Sequence, residues 1–270
     1  MAAKRFLGQH FLVDARTVAR IGRALAPTPD EALLEIGPGR GALTNGLLRR
    51  CERMAAIELD PMLVARLRAR IAEDRLLLLE RDVLQTPLRE VLQALGRSDG
   101  ERLVIAGNLP YNISKPIVQK LIRERDCVSR AVLMFQREVA ERLTASPGSR
   151  RYAPLGVLAG FVFRIEPLFD VPPRCFSPPP RVQSTVTRWS LADGPALGHD
   201  HEQRLRLVLA ACFARRRRTL RNNLKSALGD ESRVDDLLAS ADIDGSLRAE
   251  ALAPSAFSRL ATRWDPGALV

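Results

Sequence analysis

From Ala32 to Gln136, short apolar runs alternate with longer stretches whose apolar residues recur at helical spacing. The runs "ALLEIG", "MAAIELD", "RLLLLERD", "RLVIAGN" and "RAVLMFQ" predict strands. Between them, "ALTNGLLRRC", "PMLVARLRARIAED", "PLREVLQAL" and "SKPIVQKLIRERD" predict helices. The second helix is the best defined. Asp60 can cap it, Pro61 suits its first position, and Leu63, Val64, Leu67 and Ile71 share one face. Strands that are apolar nearly throughout, separated by helices, imply a parallel sheet covered on both faces. Such doubly wound α/β domains bind ligands beyond the carboxyl ends of their strands.

After Arg137 the pattern changes. "REVAERLT" reads as helix and "ASPGSRRYAP" as a polar loop, and further strands are expected around "FVFRIEPLF" and "VQSTVTRWS". The connection "DVPPRCFSPPPR" is too rich in proline for a sheet interior, so an antiparallel pair joined by a long shaped loop is expected. From about Asp200 only helical patterning remains. The expected division is an α/β domain over 1–198 and an all-α domain over 199–270.

Charge adds a partner to this picture. The 270 residues carry a formal net charge of +11, which points to a polyanion, nucleic acid before membrane. No run approaches the roughly 18 apolar residues of a membrane span, and Gln9, His10 and Asp14 interrupt any signal-like start. A cytoplasmic protein is expected. Cys51, Cys127, Cys175 and Cys212 form no C-x-x-C pair, and His199 and His201 have no further ligands nearby in the sequence, so no metal is expected.

Four strand ends carry candidate chemistry. Gly37, Gly39 and Gly41 follow the first, where glycine allows a tight turn and close approach to a ligand. Read as Gly37-x-Gly39-x-x-Ala42, this turn also satisfies the dinucleotide fingerprint of a dehydrogenase. The second strand ends at Glu58, able to accept from ribose hydroxyls, and the third at Asp82, able to accept from an adenine amino group. Together these three ends predict a cofactor containing adenosine. The fourth strand ends in Asn108-Leu109-Pro110-Tyr111, which would have no role in a nicotinamide enzyme.

The order of glycine loop, Glu, Asp and Asn-Leu-Pro-Tyr resembles the S-adenosylmethionine-dependent N6-adenine methyltransferases. With "LGQHFLVD", "EIGPGRGALT", "GNLPYNIS", "CFSPPPRVQSTV" and "CFARRRRTLRNNL", nearly the whole chain resembles the ribosomal RNA adenine dimethyltransferase family, in its small-subunit branch. That resemblance implies a Rossmann-like class I methyltransferase with a mostly parallel seven-stranded sheet and a small all-α C-terminal domain that binds RNA. It implies S-adenosylmethionine as cofactor and two adjacent adenosines of small-subunit rRNA, within an immature 30S subunit, as substrate.

Site residues follow from the same resemblance. His10, Leu12, Gly37, Gly39, Glu58, Asp82 and Asn108 would surround the cofactor, with His10 standing where many relatives have Asn. Asn108 and the Pro110 carbonyl would hold the target amine. Leu109 and Tyr111 would contact the base, with Tyr111 stacking on it and Phe176 covering its other face. Between Gln203 and Gly229 lie eight basic residues and no acidic one, and Arg215, Arg216, Arg217, Arg218 and Arg221 are expected to meet phosphates. "RYAPLGVL" departs from the family's Tyr-Gly-x-Leu-Ser pattern at Ala153 and Gly156. No heptad pattern argues for a dimer, and a monomer is expected. Competing readings are the large-subunit branch, a DNA adenine methylase, and an assembly factor acting by binding alone.

Overall fold

The computed structural model describes residues 10–193 and 197–264. These group into two compact units. One comprises the described residues of Met1–Ala140 with Phe163–Leu191, and the other those of Glu141–Val162 with Ala192–Val270. Residues 141–162 thus group with the C-terminal helices, so the units do not follow the single cut expected at 198/199.

The first unit opens with β1 (Phe11–Leu12) and α1 (Ala15–Leu25). It continues as β2 (Ala32–Ile36), α2 (Ala42–Leu47), β3 (Met54–Glu58), α3 (Pro61–Arg68), β4 (Leu76–Glu80), α4 (Leu88–Ala94), β5 (Leu103–Asn108), α5 (Ser114–Arg123) and β6 (Val128–Gln136). α6 (Arg137–Leu143) and α7 (Pro154–Gly160) precede β7 (Phe163–Val171), β8 (Phe176–Ser177) and β9 (Ser184–Leu191). The main sheet has seven strands in the order β4-β3-β2-β5-β6-β9-β7. Strands β2 to β6 run parallel, and β9 is antiparallel to both β6 and β7. The strand order reverses between β2 and β5, which places a crevice beyond their carboxyl ends.

Local chemistry explains the boundaries. β2 and β3 are buried along their whole length, as their apolar runs require. Asp60 caps α3 by accepting from the Met62 N–H at 3.0 Å, with Pro61 at the first helical position. That helix stops at Arg68, earlier than "PMLVARLRARIAED" implied, and its last turn tightens where the Arg70 N–H bonds the Leu67 carbonyl three residues back. α1 lies before the predicted alternation. Asp14 caps it through the Thr17 N–H at 2.7 Å, and Val18, Ile21 and Leu25 are buried.

The second unit is helical, with α8 (His199–Cys212), α9 (Leu220–Leu228), α10 (Glu231–Ser240) and α11 (Pro254–Arg263) joined by α7. A Cβ built on Gly156 of α7 would lie 2.3 Å from the Arg142 carbonyl oxygen. The departure from the family pattern at this position therefore coincides with a backbone approach that excludes larger side chains.

Candidate active site

The cleft at the strand-order reversal encloses about 920 Å³ of empty space, open solvent at its mouth included. Its walls bring together His10, Gly37, Gly39, Glu58, Asp82, Asn108, Leu109, Pro110 and Tyr111, residues drawn from five separate segments. Ile36, Ile57, Leu63, Val83 and Leu84 supply an apolar lining. This is the usual composition of a ligand pocket, mostly apolar with a few fixed polar groups.

Glycine shapes the floor. Gly37 and Gly39 adopt φ of +67° and +56°, in the left-handed region that other residues rarely enter. A Cβ on Gly39 would also approach the Phe11 ring at 3.1 Å. Glu58 fixes this loop from the neighbouring strand. Its Oε2 accepts from the Gly39 N–H at 3.0 Å, and its Oε1 accepts from the Leu59 and Asp60 N–H groups at 2.9 and 3.0 Å. Burial still pushes its pKa up, against those three donors.

Behind the loop, Glu35 is only 1 % exposed. Burial, reinforced by the nearby Glu58 charge, raises its pKa to about 8, so it stays protonated at neutral pH. Its Oε2 has no hydrogen-bond partner. Asp82 accepts from the Leu84 N–H through Oδ1 at 2.8 Å.

Asn108 ends β5, and its Nδ2 donates to the His10 carbonyl at 3.0 Å. That bond sets which way the amide faces, leaving Oδ1 as the group able to accept from a ligand. The His10 ring is fixed in turn, with Nδ1 2.8 Å from the Pro178 carbonyl oxygen. It lies 5.4 Å from the Tyr111 ring, tilted by 32°. Tyr111 begins a short 3-10 turn, its hydroxyl 2.9 Å from Ser184 Oγ.

Two expected residues lie elsewhere. Leu12 and Phe176 pair across β1 and β8 and are buried in the hydrophobic core, Phe176 at 4 % exposure. Phe11, beside Leu12, lines the cleft instead. Successive residues of an extended segment point to opposite sides, so the N-terminal segment can give one face to the core and one to the pocket.

The arginine run lies in the second unit and is exposed from Arg215 to Arg218. Its charges are partly compensated by acids from outside the run. Arg206 pairs with Glu202, Arg216 with Glu250, Arg221 with Asp235 and Lys225 with Glu231. Arg216 also donates to the Arg150 carbonyl at 2.8 Å. Arg215, Arg217 and Arg218 have no acidic partner among the described residues. Asn223, buried at 2 % exposure, holds their turn by donating to the Cys212 and Arg215 carbonyls at 2.8 and 3.2 Å. Neither Asn223 nor Ser184 was singled out from the sequence, although both sit inside quoted motifs, "RRTLRNNL" and "PPPRVQSTV".

Among the described residues, no cluster of three or more His, Cys, Asp or Glu is arranged to hold a metal. None of the described helices is long and apolar enough to cross a membrane.

A family model described as ribosomal RNA adenine dimethylase matches residues 1–264. The chain belongs to that family. Two relatives named ribosomal RNA small subunit methyltransferase A illustrate the likeness. The one from Acidobacterium capsulatum is 43% identical over 94% of this chain and 88% of its own length. The one from Pseudomonas aeruginosa is 40% identical over 97% and 94%. Among solved structures, a dimethyladenosine transferase from Plasmodium falciparum superimposes with a TM-score of 0.78 at 25% identity, covering 93% of this chain and 96% of its own. The 23S rRNA methyltransferase ErmE gives 0.69 at 26% identity, covering 94% and 98%.

The protein is thus an S-adenosylmethionine-dependent rRNA adenine methyltransferase with a class I fold. Its cleft fits that cofactor. The glycine cradle admits no Cβ without strain, and Glu35 keeps an unpartnered buried oxygen behind it. Carboxylates stand at the end of β3 and just past β4, beside the apolar side chains of Ile57, Val83 and Leu84.

Proposed function

We propose that this protein dimethylates N6 of two adjacent adenosines near the 3′ end of small-subunit rRNA, acting in the cytoplasm as a monomer on an immature 30S subunit. The likeness to small-subunit methyltransferases at 40% and 43% identity over nearly the whole chain supports this branch over the large-subunit one. The observation that carries the chemistry is the Asn108 amide, held by the His10 carbonyl in a cleft shared with Pro110 and Tyr111.

The exocyclic amine of adenine is a weak nucleophile because its lone pair is delocalised into the ring. Bound S-adenosylmethionine supplies an electrophilic methyl on a positively charged sulfur. Asn108 Oδ1 accepts one N6 hydrogen, and the Pro110 carbonyl accepts the other. That carbonyl already accepts from the Ile113 N–H at 3.2 Å and keeps a second lone pair. Holding both hydrogens localises the lone pair and aims it. Asn108 acts by orientation and electrostatics, since an amide is no general base.

Tyr111 stacks on the extruded base, a contact worth about 1–3 kcal/mol. Phe176 covers the opposite face, which requires its ring to turn out of the core. Each transfer breaks the sulfur–methyl bond, leaving a neutral thioether, and the methylated amine releases one proton to solvent. The monomethylated amine then presents its one remaining hydrogen to one of the two acceptors. Glu58 binds the cofactor ribose and Asp82 its adenine, while Arg215, Arg217 and Arg218 contact RNA phosphates.

The test is incubation with a labelled methyl donor and under-methylated small subunits, followed by mapping of the label. Dimethyladenosine at two adjacent positions near the 3′ end is expected. Label in large-subunit rRNA or DNA would redirect the reading to those substrates. Tight subunit binding without label would leave an assembly factor.

A further inference from the structure

We infer that Ser184 is a positioning residue for methyl transfer, acting through the hydroxyl of Tyr111. This rests on the proposal that Tyr111 stacks on the target adenine. Ser184 lies 73 residues beyond Tyr111 in sequence, yet its Oγ stands 2.9 Å from the tyrosine hydroxyl. It opens β9, where its backbone is in register with Gln136 of β6 and Val171 of β7, and it is fully buried. A residue fixed by strands on both sides is a rigid anchor.

Tyr111, by contrast, sits in the turn after β5, where nothing in a strand ladder fixes its ring. Beside the His10 ring, two side-chain hydrogen bonds hold it. Ser114 Oγ donates to its carbonyl at 3.1 Å, and Ser184 meets its hydroxyl. The Tyr111 and Ser184 hydroxyls satisfy one another in a half-buried setting, so removing either leaves the other without its partner. The phenol can then turn, and a base stacked on that ring loses its alignment with Asn108. The serine of "PPPRVQSTV" thereby gains a role that its local sequence does not suggest, since a strand-opening serine is ordinarily a turn residue.

The test is a double-mutant cycle on the full-length protein, read as kcat and as KM for under-methylated subunits. Ser184→Ala and Tyr111→Phe are each expected to lower kcat about three- to tenfold, the scale of one hydrogen bond, with a smaller change in the KM for RNA. The double variant is expected to be no worse than either single one, because both remove the same contact. Cofactor affinity by calorimetry is expected to stay within about twofold, and Ser184→Thr to restore most of the loss.

If Ser184→Ala lowers thermal stability but leaves kcat untouched, or if the two effects simply add, the inference is overturned. If Ser184→Ala does not fold, Tyr111→Phe and Ser184→Thr carry the test without emptying the strand. Tyr111→Ala separates the two levels. Unchanged activity there removes the stacking proposal itself, whereas a large loss with a silent Ser184→Ala removes only the present inference.

Discussion

The cleft and the arginine turn are both rich in polar groups, but they are built in opposite ways. In the cleft, the key polar side chains are buried or half-buried and committed to protein partners: Glu58 to three N–H groups, Asn108 to the His10 carbonyl, Tyr111 to Ser184. In the turn, the charges are exposed, and some are neutralised while Arg215, Arg217 and Arg218 have no acidic partner among the described residues. On the proposed reading, one region works by placement and the other by uncompensated charge. Loss of a single atom should therefore be severe in the cleft, and in the turn the number of free cations should matter more than their identity.

The largest expected effect concerns the buried acid. Glu35 has its pKa raised to about 8, so the folded state keeps a proton that the unfolded chain releases above about 4.5. The stability this gives is fully present below pH 4.5 and is lost as pH rises toward 8. Burial raises Glu58 in the same direction. Chemical denaturation of Glu35→Gln should show a shallower fall between those pH values, the difference being on the order of a few kcal/mol. A parallel pH profile would mean that Glu35 is ionised in the folded protein.

Next comes Asn108→Ala, expected to lower single-turnover methyl transfer by about a hundredfold or more, the scale of a lost transition-state hydrogen bond. Transfer at the normal rate would remove the amide from the mechanism. The arginine turn gives a graded result. Replacing Arg215, Arg217 and Arg218 with Gln should reduce the slope of log affinity against log salt by roughly 2, at about 0.7–0.9 per phosphate contact. Filter binding across a salt series reads this directly, and an unchanged slope would make the turn plain surface.

Arg216→Gln sharpens the contrast within that turn. Because Arg216 is engaged by Glu250 and by the Arg150 carbonyl, the salt slope should hardly move. Stability should fall by about 0.5–1 kcal/mol, a modest figure because the pair is partly solvated. Equal salt effects from Arg216 and Arg217 would collapse the distinction between splint and phosphate ligand.

Much of this was legible in one dimension. The strands from Ala32 to Gln136 and the helices between them follow from hydrophobic period, and the chemistry-bearing residues stand at strand ends, where a parallel sheet presents them. α1 was missed although its cap, Asp14 with Thr17, and its buried Val18, Ile21 and Leu25 carry the helical signal. The strong alternation begins only at Ala32, so α1 lies outside the pattern that marks the other elements. Phe176 is expected from the sequence to cover the target base, and pairing of β8 with β1 places it in the core.

By itself, then, the sequence determined the alternation of strand and helix, the glycine turn, the residues at the strand ends and the family, because these depend on local spacing and residue type. Only the tertiary structure decided which polar groups are satisfied. It turned four of the eight basic residues into paired ones by bringing Glu202, Glu231, Asp235 and Glu250 to them, and it set Ser184 against Tyr111. The physical reason is that hydrogen bonding and charge pairing depend on distances of a few ångströms between residues far apart in the chain. A local pattern holds no record of those distances.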